Sequence, residues 1–258
     1  FVVYHMSIKS KILAFLANQY MSRKGPDARI TKMILDTWPE DISDLVILPA
    51  SNFYVNAMIK HFKGKAKGLT WYVPSLNFSI VPSGVGAPSA AMVIEALRRA
   101  NVKKIIRIDV AGSLSKNLKP GDFIIPTYAI KGDCTSNAYS KTLEAEPTES
   151  LVEIIKAVLN EEKVSYHLGT IFSHDALFLE SKELIQNVIN QGAIAIDMET
   201  SLVYVLGKLF KIDVAALLFV SNYAFEGFEK EISKLEPAFF QAMDKSFRII
   251  SKIIKAIS

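Results

Sequence analysis

The sequence predicts a single-domain α/β fold, a three-layer sandwich in which helices flank a mixed, largely parallel sheet. Two observations support this fold class. First, short and continuously apolar runs, such as 45–48 and 214–220, alternate along the chain with segments of helical periodicity. Continuous apolar character indicates strands that are covered on both faces. Second, the chain has 258 residues, half of them hydrophobic, which is sufficient for one large domain with a continuous core.

The elements are predicted in order from the N-terminus. Residues 7–37 show helical periodicity, and Gly25-Pro26-Asp27 divides them into two helices because glycine and proline interrupt helices. Apolar runs predict strands at 45–48, 78–81, 104–110, 122–126, 169–172, 193–196 and 214–220. Further helices are predicted at 88–100, 151–159, 183–189 and 199–210. Apolar residues from Phe240 to Ile257 recur at steps of three and four, which predicts a terminal helix packed on the sheet.

The pattern divides the chain into two parts. No internal repeat, low-complexity tract or linker interrupts the alternation of strands and helices. We therefore expect one α/β domain over 41–258, preceded by a helical N-terminal extension over 1–40. The sequence does not indicate whether this extension covers an interface or the mouth of a site.

Composition and charge argue against several classes of function. Lys and Arg total 30 against 26 Asp and Glu, and this mild excess suits an anionic small substrate better than nucleic acid. No apolar run is long enough to cross a membrane, so no membrane partner is expected. The single cysteine, Cys134, excludes an intrachain disulfide and fits a cytoplasmic location. The four histidines lack helical ligand spacing, so no metal site is predicted.

Small and polar residues follow several predicted strands, at the carboxyl ends where open α/β sheets bind ligands. The segment 84–89 (GVGAPS) joins a strand to a helix, and its glycines let a ligand approach the backbone. A tight turn without a ligand fits this segment equally well. Two further segments of this kind are 110–113 (VAGS) and 221–223 (SNY). Asn222 can hydrogen-bond a base, but it does not titrate and cannot act as a general acid.

Arg107 and Glu199 each allow two interpretations. Arg107 lies inside an apolar strand, so either an internal carboxylate such as Asp109 or a bound anion must satisfy its charge. Glu199 opens a predicted helix, where a carboxylate can simply favour the helix dipole. Alternatively, its two oxygens can accept hydrogen bonds from the vicinal hydroxyls of a ribose.

Three segments in this order resemble the nucleoside phosphorylase-I family: 84–89 (GVGAPS), 107–112 (RIDVAG) and 196–199 (IDME). The resemblance covers residues 45–225. It implies phosphorolysis of the N-glycosidic bond of a nucleoside, with a purine slightly preferred, to the free base and ribose 1-phosphate. It further implies phosphate as co-substrate without any cofactor, and a homo-oligomer that is a dimer or a trimer of dimers.

The same resemblance assigns roles to individual residues. Met198 and Glu199 would hold the ribose, and Glu199, Asn222 and Arg107 would be the catalytic residues. The residues assigned to phosphate are Arg107, Val110, Gly84 and Ala50. The residues assigned to the base are Ala111, Gly112, Phe178, Asp197, Ser221 and Asn222.

The chain also departs from the family pattern. Tyr54 stands where a phosphate-binding arginine is expected, Val110 replaces a hydroxyl-bearing residue, and Asn222 replaces the aspartate that protonates purines. These departures keep two alternatives open. One is a hydrolytic nucleosidase, in which water replaces phosphate, and the other is a catalytically impaired nucleoside-binding or structural homologue.

Overall fold

The apolar runs of the sequence form the strands of one mixed sheet. The computed structural model describes residues 8–224 and 237–257. The first seven residues of the predicted N-terminal extension therefore lie outside the described residues. In the described ranges the strands are β1 (Leu45–Leu48), β2 (Lys65–Lys67), β3 (Thr70–Val73), β4 (Phe78–Ile80), β5 (Lys104–Ser113), β6 (Phe123–Lys131), β7 (Tyr166–Ser173), β8 (Ala193–Asp197) and β9 (Asp213–Tyr223).

Helices precede the first strand and cover the sheet. The α-helices are α1 (Ile8–Ser22), α2 (Pro26–Leu35), α3 (Asn52–Phe62), α4 (Ala87–Arg99), α5 (Cys134–Tyr139), α6 (Glu149–Glu161), α7 (Lys182–Asn190), α8 (Thr200–Phe210) and α9 (Pro237–Ile257). Two single-turn 3₁₀ helices span Pro39–Asp41 and Leu177–Leu179. Across the ranges that the structure describes, no helix is long and apolar enough to cross a membrane.

The strand order shows that part of the sheet closes on itself. The order is β2-β3-β4-β1-β5-β8-β7-β6-β9, and β9 also pairs in parallel with β5 along its length. Strands β5, β8, β7, β6 and β9 thus form a closed ring. The predicted α/β fold with a mixed sheet flanked by helices is confirmed. The closure was not predicted, because it depends on the antiparallel pairings β5–β8 and β6–β9, whose direction the apolar runs do not encode.

Side chains alternate between two apolar layers, one on each face of the sheet. Along β9, Val214, Ala216 and Leu218 pack into the layer that includes α4 and α8. Their neighbours Ala215 and Leu217 pack into the layer that includes α3, α6 and α9. Both sets are buried, which explains why the run is continuously apolar rather than alternating. In β5, Arg107 shares the face of Ile105, which belongs to the α4 and α8 layer.

Tyr54, in α3, is a core residue. Its ring is 1% exposed, stacks on Phe247 with centroids 5.7 Å apart and meets Phe219 edge-on at 5.4 Å. Its hydroxyl and that of Ser246 lie 2.5 Å apart, which joins α3 to α9. The residue at the expected arginine position therefore packs into the apolar layer and leaves no side chain to hold an anion.

Replacing Tyr54 by Phe should lower the free energy of unfolding by about 1 kcal/mol, because one buried hydrogen bond is lost while the ring stays packed. Ser246 keeps its bond to the carbonyl of Met243, so the loss should not be larger. Urea unfolding measures the change. Tyr72→Phe is the control, since its hydroxyl bonds Asn77 at the surface and its loss should change stability by less than about 0.5 kcal/mol. Equal effects of the two variants would contradict the role of Tyr54.

Candidate active site

A cavity opens at the carboxyl ends of β1, β5, β8 and β9. Its empty space amounts to about 680 Å³, a volume that includes open solvent at its mouth. The described lining residues are Ala50, Ser51, Val85, Arg107, Asp109, Val110, Ala111, Gly112, Leu177, Glu180, Ile196, Asp197, Met198, Glu199, Ser221, Asn222 and Ala224. All of the predicted site residues except Gly84 and Phe178 are among them.

Phe178 and Gly84 are the two predicted site residues that do not line this cavity among the described residues. Phe178 is 81% exposed, and the preceding Leu177 lines the cavity instead. Successive residues of a 3₁₀ helix point about 120° apart, so a shift of one residue changes which side chain faces inward. Gly84 lies in the turn before α4 with a φ of +67°, and the next residue, Val85, lines the cavity. A side chain at Gly84 would collide with Ser89, so this glycine serves the turn.

Arg107 forms the floor of the cavity and is held by three carboxylates. Its Nη2 lies 2.6 Å from Glu199 and 3.1 Å from Asp197, and its Nε donates to Thr200 at 3.2 Å. Its Nη1 lies 3.7 Å from Asp109 Oδ2 and has no hydrogen-bond partner among the described residues. Burial opposes the positive charge, yet the three carboxylates outweigh it and raise the pKa of Arg107. The structure therefore shows the internal-carboxylate interpretation of this arginine.

The Glu199 side chain binds groups of β5 and of the start of α4, and not the backbone of its own helix. It is the N-cap of α8, but its carboxylate caps no backbone group within the described part of that helix. Instead, Oε1 accepts a hydrogen bond of 2.6 Å from the backbone N–H of Gly86, and Oε2 binds Arg107. Gly86 presents this N–H from a φ of +90° at the start of α4, a conformation that favours glycine. The carboxylate is 3% exposed, and the residue lines the cavity.

Asp197 binds Arg107 and links it to β7 and to the start of α8. Its Oδ1 accepts a hydrogen bond of 2.6 Å from the hydroxyl of Ser173 in β7. Its Oδ2 accepts bonds from the backbone N–H and the hydroxyl of Thr200, at 3.1 and 2.5 Å. Through these contacts Asp197 orients Arg107 and the start of α8.

Ser221 and Asn222 form the opposite wall, at the end of β9. The hydroxyl of Ser221 donates to Asn222 Oδ1 at 2.6 Å and lies 3.3 Å from the carbonyl of Ala111. This contact orients the amide plane of Asn222, whose Nδ2 is a hydrogen-bond donor. The wall therefore offers hydrogen-bonding groups to a ligand in the cavity.

Two acidic residues of the lining were not among the predicted ligand-binding residues, although Asp109 was named as a possible partner of Arg107. Asp109 accepts hydrogen bonds from the backbone N–H groups of Ala50, Ser51 and Val110. Glu180 follows the 3₁₀ turn, and burial raises its pKa to about 7. Glu180 belongs to no motif, so only the folded chain reveals it. For Asp109 a signal existed, because it lies two residues after Arg107 and therefore on the same face of β5.

Comparison with known proteins shows the family of this chain. Residues 44–255 match the family described as the Phosphorylase superfamily. The chain belongs to the phosphorylase superfamily. The resemblance to nucleoside phosphorylases found in the sequence is thereby confirmed. Guanosine phosphorylase from Halorubrum lacusprofundi is 29% identical over 185 residues, which cover 70% of this chain and 76% of the relative.

Solved structures of the superfamily share the fold. Purine nucleoside phosphorylase from Toxoplasma gondii, in complex with immucillin-H, superposes with a TM-score of 0.76 at 20% identity and covers 85% of this chain and 93% of its own. Uridine phosphorylase from Vibrio fischeri superposes with a TM-score of 0.76 at 22% identity, covering 85% and 95%. At these identities the likeness concerns the fold and not the substrate.

The raised pKa of Glu199 should make the stability of this phosphorylase superfamily member depend on pH. Burial, with Asp197 and Asp109 adding to it, raises the pKa of Glu199 from 4.5 to about 7, although Arg107 and the Gly86 N–H act in the opposite direction. Between these values the folded state keeps a proton that the unfolded state has released. The stabilising contribution of this carboxyl is therefore present at low pH and is lost as the pH rises towards about 7.

Glu199→Gln cannot titrate, so its melting temperature relative to wild type should rise from about pH 5 to about pH 8. Thermal unfolding of both proteins at the two pH values measures this difference. Glu149→Gln, at an exposed position outside the cavity, is the matched control and should give the same difference at both. A Glu199→Gln difference that does not change with pH would argue against the raised pKa.

Proposed function

We propose that the chain is a nucleoside phosphorylase that transfers the ribosyl group of a nucleoside, with a purine base favoured, to phosphate. The products are the free base and ribose 1-phosphate. The observation that carries this proposal is the buried Glu199 carboxylate, held by Arg107 and the Gly86 N–H in the wall of the cavity. Membership of the phosphorylase superfamily supports the reaction class, and the named guanosine phosphorylase relative favours phosphorolysis over hydrolysis or a catalytically impaired homologue.

The Glu199 carboxylate can accept hydrogen bonds from a ribose. Each oxygen of Glu199 accepts one hydrogen bond from the protein, and each has a further lone pair. The 2′-OH and 3′-OH groups of a ribose can therefore donate one bond to each oxygen. Met198 is the apolar neighbour that contacts the sugar.

The charges around Arg107 suit an oxocarbenium-like transition state. Three carboxylates and one guanidinium make the wall negative when all are ionised. Fixed negative groups stabilise positive charge that develops on the ribose ring, and they are already oriented before the reaction begins. The wall thereby favours the transition state over the neutral nucleoside.

The base is placed between the ends of β5 and β9. Ala111, Gly112 and Leu177 offer an apolar surface for a flat ring, while Ser221 and Asn222 offer hydrogen bonds to its edge. Asn222 stabilises the leaving base by donating a hydrogen bond and transfers no proton. Phosphate enters as the co-substrate, and no cofactor takes part. We extend the proposal to a cytoplasmic homo-oligomer, a dimer or trimer of dimers, on the family resemblance alone.

Replacing Glu199 by Gln should lower base release by about 10²-fold or more, because one ribose hydroxyl loses its charged acceptor in the transition state. Gln keeps the side-chain volume, so Arg107 and Gly86 stay packed. The assay incubates guanosine, inosine, methylthioadenosine and uridine with and without phosphate and measures the free base. Glu149→Gln is the matched control and should keep wild-type activity.

The assay of the wild-type chain also tests the reaction class. Base release that requires phosphate supports phosphorolysis. Equal release without phosphate indicates the hydrolytic nucleosidase, and ligand-dependent stabilisation without any release indicates a nucleoside-binding homologue.

Asn222→Asp should raise the turnover of purine nucleosides by about tenfold or more, because a carboxyl beside the leaving base can donate a proton that an amide cannot. Uridine should gain little, since a pyrimidine offers no N7 to protonate. The ratio of the two kcat/KM values before and after substitution is the measurement. An unchanged ratio would show that residue 222 does not face the leaving base.

A further inference from the structure

Asp109 occupies a ready-made anion site. Its Oδ2 accepts hydrogen bonds from the backbone N–H groups of Ala50 and Ser51, the latter at 3.1 Å. Its Oδ1 accepts a bond of 2.8 Å from the N–H of Val110. Ser51 is the N-cap of α3, so the first of these groups lie at a helix N-terminus, where the dipole favours negative charge.

The guanidinium of Arg107 completes this site. Arg107 is 1% exposed, and its Nη1 is a buried donor that finds no hydrogen-bond partner in the described ranges. Asp109 Oδ2 approaches this nitrogen to 3.7 Å, which is too far for a hydrogen bond but close for opposite charges. A ligand with more oxygens than a carboxylate could reach this donor as well as the backbone N–H groups.

Three of the residues predicted to bind phosphate therefore face the side chain of Asp109. They are Ala50 and Val110, through their backbone N–H groups, and Arg107, through Nη1. Asp109 is buried, as are Ala50 and Arg107, and it lies on the same face of β5 as Arg107. An external anion and this carboxylate cannot both accept the same N–H groups.

We propose that Asp109 is an internal competitor of phosphate: its carboxylate fills the anion site, so phosphate binds weakly and binds more tightly once the carboxylate is removed. The proposal rests on the proposed function, which makes phosphate the anion of the reaction. It adds that this chain controls its co-substrate through one residue of β5.

The charges of the cavity strengthen the competition. Of the described lining residues, Arg107 alone is a cation, and it already faces Asp109, Asp197 and Glu199. Phosphate that enters beside all three carboxylates meets repulsion in a site of low dielectric constant. Removing Asp109 takes away one of the repelling charges and frees three backbone donors at the same time.

Calorimetric titration with inorganic phosphate, at constant ionic strength and without nucleoside, tests the proposal. Asp109→Ala should lower the Kd for phosphate about tenfold or more relative to wild type, the effect expected when charge-assisted hydrogen bonds become available. Asp109→Asn should give a smaller gain, because its amide oxygen still accepts backbone N–H groups while the charge is gone. Asp44→Ala, which removes one exposed negative charge away from the cavity, should leave the Kd unchanged.

Far-ultraviolet circular dichroism identifies which variants are folded, and Asp109→Asn keeps the test valid if the alanine variant does not fold. No gain in phosphate affinity in any folded Asp109 variant overturns the proposal, as does an equal gain in Asp44→Ala. Tighter phosphate binding without base release from any nucleoside supports the competition but refutes phosphorolysis. Phosphate-dependent base release, with equal phosphate affinity in wild type and variants, overturns the competition and leaves the proposed function intact.

Discussion

The structure depends on the burial of one arginine among carboxylates. Arg107 cannot lose its proton, so a position inside β5 requires negative partners close by. Asp197 at the end of β8 and Glu199 at the start of α8 supply them, and Asp197 in turn binds Ser173 in β7. Breaking a buried ion pair by removing one partner typically costs about 3–5 kcal/mol. The same contacts that stabilise the centre of the fold therefore form the floor of the cavity.

This coupling constrains how the site can change. Glu199 accepts hydrogen bonds from the Gly86 N–H at the start of α4 and from Arg107 in β5. Its carboxylate therefore connects these two elements to the start of α8. A substitution that removes its volume disturbs packing and chemistry together. Isosteric changes separate the two effects better, because they keep the side-chain volume and alter charge and hydrogen-bonding capacity.

Much of the fold could be predicted from the sequence because continuous apolar runs and helical periodicity are strong local signals. β1 was predicted with its observed bounds, and the terminal helix was found within a few residues. α3 and the hairpin of β2 and β3 were missed. Lys65–Lys67 is exposed along its whole length, so it carries no apolar run, and α3 begins directly after the small residues Ala50 and Ser51. Local patterns do not record pairing that depends on distant strands.

The site was predictable where a motif lies on a regular element and less so in turns. Glu199 and Asn222 stand at the ends of strand and helix, and both line the cavity. Leu177 and Phe178 lie in a single 3₁₀ turn, where an error of one residue exchanges an inward for an outward side chain. The contacts of Asp109 could not be predicted for a different reason: two of its three backbone donors come from the segment after β1, more than fifty residues away.

The closed ring of strands also determines where the sheet ends. Because β9 pairs with both β5 and β6, it is not an edge strand, and among the described strands β2 forms the outer border of the sheet. That border is three residues long and carries Lys65 and Lys67, both exposed. A short, lysine-bearing border is a poor template for the addition of a strand from another molecule. The topology that shapes the cavity thus also protects the protein against aggregation through its sheet.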